Sequence, residues 1–166
     1  IGHFDLYRGE IDVGGALPGH NDMFGRLNFA YRNSGSYIDF HEDESIFISP
    51  SFTWNITPDT DLTVLLHYQD LENVFEYGLP QERESLQVPI SRFYGEPGFN
   101  SMTVESGSAS YFFNHRFNED WRFRSAFRAN MARENDVSMM ATFLYEDRRT
   151  LDREAQTFKE RIDADD

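Results

Sequence analysis

The stretch that decides the fold is Ile46-Phe47-Ile48-Ser49-Pro50-Ser51-Phe52-Thr53-Trp54-Asn55-Ile56. It is followed by the tight polar turn Pro58-Asp59-Thr60-Asp61 and then by Leu62-Thr63-Val64-Leu65-Leu66-His67-Tyr68-Gln69. Apolar and small or polar residues alternate with a period of two, which puts one set of side chains on each face of a strand. One face is aliphatic and aromatic; the other is small, polar or charged. A transmembrane β-barrel has this arrangement, with lipid on one side and an aqueous lumen on the other.

The pattern recurs on both sides of this hairpin. Leu27, Phe29 and Tyr31 alternate with Arg26, Asn28, Ala30 and Arg32. Ala109, Tyr111, Phe113 and Phe117 share a face that His115 interrupts. After the turn Asn118-Glu119-Asp120, residues Trp121, Phe123, Phe127, Ala129 and Met131 alternate with Arg122, Arg124, Ala126, Arg128 and Asn130. An arginine facing hydrocarbon costs roughly 2–4 kcal/mol at mid-membrane, so these three arginines must face water or a polar interior. There they either guide anions or pair with acidic groups. A soluble antiparallel sheet with one wet face produces the same alternation, so a soluble or secreted all-β ligand-binding module, carbohydrate-directed in type, is the alternative reading.

Composition narrows the choice. The chain has 166 residues, with 16 Phe, 8 Tyr and 16% aromatic content, which suits strands and interfacial girdles. It has no cysteine, hence no disulfide framework or thiolate metal site. No apolar run reaches the ~18 residues of a membrane helix. The mean hydropathy of −0.62 does not exclude a barrel, whose hydrophobicity is hidden in alternation. A net charge of −14 excludes nucleic acid as a partner. The acidic runs His41-Glu42-Asp43-Glu44 and Asp163-Ala164-Asp165-Asp166 are expected in loops. No Ser/His/Asp or paired-carboxylate arrangement stands out, so no enzyme, no catalytic residue, no metal site and no cofactor is expected.

About seven strands are expected: roughly Phe4–Val13 with a bulge near Leu6-Tyr7, Gly25–Asn33, Ser45–Ile56, Asp61–Asp70, Gly107–Phe117, Trp121–Arg133 and a seventh at the tail. A connection of about 35 residues, 71–106, separates the fourth and fifth. Short turns at one end and long loops at the other suit an outer-membrane barrel, and a loop of that length in a compact domain calls for a functional reason. Trp54 and Trp121 both sit beside short turns, in one interfacial girdle. In the tail, Leu151, Ala155, Phe158 and Ile162 recur at helical spacing, whereas a barrel hairpin that must return requires a strand. With no signal-peptide pattern after Ile1 and a charged tail, the chain reads as an excerpt of a longer barrel.

The run Tyr7-Arg8-Gly9-Glu10-Ile11-Asp12-Val13-Gly14-Gly15-Ala16-Leu17, followed by Gly25-Arg26-Leu27-Asn28-Phe29-Ala30-Tyr31-Arg32-Asn33-Ser34-Gly35-Ser36, resembles the early barrel strands of TonB-dependent siderophore receptors. Ile48-Ser49-Pro50-Ser51-Phe52-Thr53-Trp54, Ser91-Arg92-Phe93-Tyr94-Gly95-Glu96-Pro97 and His115-Arg116-Phe117-Asn118 continue the series, nearest to the ferrichrome and hydroxamate-type branch. The resemblance implies part of an all-β antiparallel meander in a barrel of about 22 strands, located in the outer membrane of a Gram-negative-type bacterium. Residues 1–166 would be N-terminal barrel strands, with the plug domain and the closing strands absent. The implied partners are a ferric siderophore, outer-membrane lipid and lipopolysaccharide, and the TonB energy-transducing complex acting through the plug.

In that family an aromatic stretch after the fourth strand helps line the external ligand site. Here it is Phe75-Glu76-Tyr77-Gly78-Leu79-Pro80, with Gly78 where ferrichrome receptors carry tryptophan. Phe75 and Tyr77 are therefore the first candidates for ligand contact, offering flat faces and one hydroxyl donor. Arg92 and Tyr94, in the same long connection, are candidates to meet an anionic ligand.

Overall fold

The computed structural model describes residues 3–78, 89–145 and 150–165. Seven strands follow one another as β1 (Tyr7–Ala16), β2 (Met23–Gly35), β3 (Glu42–Thr57), β4 (Thr60–Asn73), β5 (Ser101–Arg116), β6 (Arg122–Leu144) and β7 (Leu151–Asp165). They form one sheet in the order β1-β2-β3-β4-β5-β6-β7, each strand antiparallel to the next. The tail is a strand despite its helical spacing, because β7 pairs with the outer half of β6 from Ala129↔Asp165 to Leu144↔Leu151.

Register turns the alternation into two faces. Directly opposed residues share a face, so Gly25, Phe52, Val64, Tyr111 and Phe127 lie in one row across β2 to β6. Phe29, Ile48, Tyr68, Gly107 and Met131 lie in a parallel row on the same face. Rows between these point the other way and are polar: Arg26, Ser51, Leu65, Ser110 and Arg128 form one, and Asn55, Asp61, Asn114 and Arg124 another. On that inner face Arg26 makes paired bonds to Asp12 across β1 and β2, at 2.8 and 2.6 Å. Arg122, Arg124 and Arg128 of β6 share this face, as the cost of placing them in lipid requires.

Among the described residues no second layer covers the apolar face. Phe93, in a loop, is the single buried large hydrophobic residue among those described, while Ile11, Val13, Leu66, Phe123 and Met131 are 45–58% exposed. The accessible surface is 12082 Å², against roughly 8,500 Å² for a compact folded chain of this mass. A soluble sandwich must bury its stripe against another sheet, and here the stripe is bare. Along β3, Ile46 to Trp54 covers about 27 Å at ~3.4 Å per residue. A strand tilt of about 40° converts this to a height of ~20 Å, close to the ~25 Å apolar band of a membrane barrel.

The band has edges. One row further out, Tyr31 and Ile46 are succeeded by Asp70, Glu105, Arg133 and Arg161. The border thus crosses the strands obliquely, as tilted strands demand, with Tyr31 and Tyr68 along it. At the opposite end Trp54 donates its indole N–H to Asp22 at 3.0 Å, and Trp121 is exposed beside the 117–121 turn. Pro50 sits inside β3, where it cannot donate to the ladder. The Ser49 hydroxyl instead donates to the carbonyl of Leu66 at 3.0 Å.

Several expectations need correction. The first strand starts at Tyr7 without a bulge at Leu6-Tyr7; the break in phase comes from a turn in which Phe4 and Asp5 take positive φ of 58° and 53°. Glu42-Asp43-Glu44 and Asp163-Ala164-Asp165 lie within β3 and β7 rather than in loops. Strands β5 and β6 extend well past the expected limits, which leaves 74–100 as the one long connection between described strands.

Candidate ligand-binding site at the loop end

Above the border, β4, β5 and β6 continue into water, and residues 74–78 and 89–100 fold against their inner side. Asn100 organises this region. It is 4% exposed, and its side-chain oxygen accepts the backbone N–H groups of Glu96 at 2.9 Å and Met139 at 3.1 Å. Its amide nitrogen donates to the carbonyl of Phe75 at 3.0 Å and, more weakly, to that of Met139 at 3.4 Å. One side chain therefore joins the segment after β4, the turn before β5, and β6. The turn Glu96-Pro97-Gly98-Phe99 that delivers Asn100 has Gly98 at a φ of +75°, a conformation that favours glycine. A Cβ on Gly95 would overlap both the Asn100 amide and the Phe93 ring. Phe93 itself is buried beside Phe40, with ring centroids 6.3 Å apart.

Two adjoining cavities open on this platform. The first, of about 260 Å³, is lined by Tyr77, Gly78, Tyr94, Gly95 and Met139–Ala141, with Glu76 at its wall. The second, of about 330 Å³, is lined by Tyr37, Ile38, Ile90 and Arg92, with Glu76 and Gly78 shared between the two. Gly78 has a φ of +80° and, among the described residues, no atom within 4 Å of where a Cβ would stand. The position that carries tryptophan in the ferrichrome pattern thus lines both cavities.

Of the four sequence candidates, Tyr77 and Tyr94 meet in the first cavity and Arg92 lies in the second. Phe75 lines neither. Its ring stands edge-on to Tyr77 with centroids 4.8 Å apart, and its carbonyl is held by Asn100. Tyr77 also donates to Gln156 of β7 at 3.1 Å. Leu79 and Pro80 lie outside the described residues. Sequence reasoning missed Glu76, Ile90, the two methionines and Asn100; a lone Asn after Pro-Gly-Phe carries no pattern by which to find it.

Charges nearby are mostly satisfied. Arg153 of β7 reaches Glu96 at 3.0 Å and the carbonyl of Gly95 at 3.2 Å. Asp136 of β6 is 9% exposed, and burial pushes its carboxyl above the usual range, with the fully buried Ser138 two residues on. Tyr145, at the β6–β7 connection, bonds the Asp152 carboxylate at 2.9 Å, which raises its hydroxyl pKa. Among the described residues no group of His, Asp and Glu is arranged to hold a metal ion, and His41 faces Asp43 at 3.5 Å without a third ligand.

An open antiparallel meander with one bare apolar face and one polar face matches the barrel portion of TonB-dependent receptors. Comparison with known proteins agrees. No protein-family model matches the chain. The metal-pseudopaline receptor CntO of Pseudomonas aeruginosa is 30% identical over 126 residues, covering 75% of this chain and 18% of that receptor. The ferripyoverdine receptor of the same species is 36% identical over 69 residues, covering 42% of this chain and 8% of the relative. The ferrioxamine receptor of Yersinia enterocolitica is 28% identical over 131 residues, or 74% of this chain and 18% of the relative. The solved ferripyoverdine receptor of the P. aeruginosa outer membrane superposes with a TM-score of 0.84 at 20% identity, covering 98% of this chain and 22% of that one. The relatives are siderophore receptors, and the chain spans about a fifth of the length of the first of them.

Proposed function

We propose that this chain forms part of the wall of an outer-membrane receptor that takes up a metal ion as its siderophore complex. The observation that carries this reading is the bare apolar band on one face of a seven-stranded sheet, bordered by Tyr31 and Tyr68 and facing away from a polar interior. In this reading the band meets outer-membrane lipid and lipopolysaccharide, and the arginine-bearing face lines the lumen. The connection 74–100 stands on the outer side, where Tyr77 and Tyr94 receive the ligand, Phe75 braces Tyr77, and Arg92 attracts an anionic group. Import would be driven by the TonB complex through a plug supplied elsewhere in the full-length protein. The ferrichrome and hydroxamate-type assignment is a narrower proposal. The likeness to a ferrioxamine receptor supports it, and Gly78 in place of the tryptophan points away from ferrichrome itself.

The test is ligand binding by the full-length receptor in detergent, followed by quenching of its intrinsic fluorescence with ferric siderophores of each chelating class. Changing Tyr77 and Tyr94 together to alanine should weaken binding at least about tenfold, given the aromatic area removed, and leave the heat-modifiable gel mobility of the folded barrel unchanged. Recovery of the full-length protein as a soluble species, or full affinity in the double variant, would overturn the reading.

A further inference from the structure

Glu76 and Arg92 are charged side chains lining one cavity, yet they are not paired with each other. Their separation exceeds the 4.0 Å of an ion pair, and neither side chain has a hydrogen bond or salt bridge among the described residues. Their neighbours differ. Glu96 is held by Arg153 at 3.0 Å, and Asp39 accepts a bond from Ser91 at 3.4 Å. Glu76 is also half-buried, so its carboxylate stands partly withdrawn from water with no partner among the described residues, an arrangement that favours an incoming cation. The rest of the cavity is apolar or aromatic, from Tyr37, Ile38 and Ile90, and supplies contact area without competing for charge.

The geometry points to a zwitterionic ligand: a metal chelate whose periphery carries a free ammonium group for Glu76 and a free carboxylate for Arg92, with its body against Tyr77 and Tyr94. Glu76 and Arg92 are then the specificity-determining residues. A neutral chelate leaves both charges unsatisfied when it excludes water from the cavity, and a purely anionic one satisfies Arg92 but is repelled by Glu76. This inference rests on the receptor reading above and adds the charge pattern of the ligand.

The experiment uses the full-length receptor and three ferric chelate frameworks, a linear trihydroxamate, a tricatecholate and an aminopolycarboxylate. Each is prepared with both a free ammonium and a free carboxylate, with either one blocked as its amide or ester, and with both blocked. For any framework that binds, the doubly charged form should bind about fivefold to tenfold more tightly than each singly blocked form, the size expected for one charge-assisted contact in a half-exposed site. Glu76→Gln should abolish the preference for the ammonium alone, and Arg92→Gln the preference for the carboxylate alone. Equal affinities across the four forms, or preferences that survive these substitutions, would overturn the inference while leaving the receptor intact. Binding of no framework in any form would overturn the receptor reading and this inference together.

Discussion

Leu65 and Leu66 are adjacent, chemically identical and on opposite faces of β4, which makes them a test of where lipid lies. Leu66 opposes Ala109 on the apolar face, two residues from Tyr68 at the border and four from Leu62 beside Trp54. Leu65 lies between Ser51 and Ser110 on the polar face. If the apolar face meets hydrocarbon, Leu66→Arg places a cation near mid-membrane and costs roughly 2–3 kcal/mol. That corresponds to a 30- to 160-fold loss in the folding equilibrium at ~0.59 kcal/mol per unit of RT. Leu65→Arg enters an aqueous lumen between two serines and costs less than about 1 kcal/mol. If the apolar face is in water instead, the order inverts, because Leu66 is 45% exposed while Leu65 is more covered. The assay is urea unfolding of the full-length protein in phospholipid vesicles, followed by tryptophan fluorescence, with wild type and both variants at the same lipid ratio. A Leu66→Arg midpoint at or above that of Leu65→Arg would refute the assignment of faces.

Two further outcomes follow from the loop platform. Asn100→Ala removes the acceptor for the Glu96 and Met139 amides; hydrogen exchange at those two amides should accelerate more than about tenfold, since each loses a buried bond of 1–3 kcal/mol, while amides of β2 and β3 stay unchanged. Asp136→Asn should stabilise the fold near pH 7 and have little effect near pH 4: burial raises the folded-state pKa of Asp136 above its unfolded value, so the native state binds the extra proton and stability falls as pH rises through the folded pKa. Melting temperatures of the two proteins from pH 4 to pH 8 check this, and parallel curves would show that Asp136 does not contribute the slope.

The membrane-crossing part of the fold was legible because lipid imposes a rule on every second residue. Ile46 to Ile56 and Leu62 to Tyr68 obey it without exception on the apolar face, so strand identity and facing could be read directly. The rule lapses where both faces are wet. Glu42-Asp43-Glu44 has no alternation and reads as a loop, yet it pairs with β2 and β4 as the start of β3. The outer half of β6, from Arg133 to Leu144, was invisible for the same reason, and β7 reads as a helix from its apolar spacing alone because neither of its faces meets lipid within the described residues. Tyr77 and Tyr94, the proposed contact residues, come from a resemblance rather than a pattern. Asn100, Gly95 and Glu76 hold positions set by the tertiary fold, which leave no periodic trace.

In the proposed receptor the extension of β6 also sets where ligand capture would take place. Met131 marks the border of the apolar band on that strand, and Met139, which lines the first cavity, lies eight residues beyond it. At ~3.4 Å per residue and a tilt of about 40°, the cavity floor stands about 20 Å outside the border. That is more than a Debye length of ~8 Å from charges at the membrane surface at physiological salt. Anionic headgroups would therefore exert little repulsion on a charged chelate as it binds, and local charges govern recognition. In the proposed receptor Arg92 and Glu76 would then select the ligand by their own fields, held by segments that Asn100 clamps to strands anchored in the sheet below.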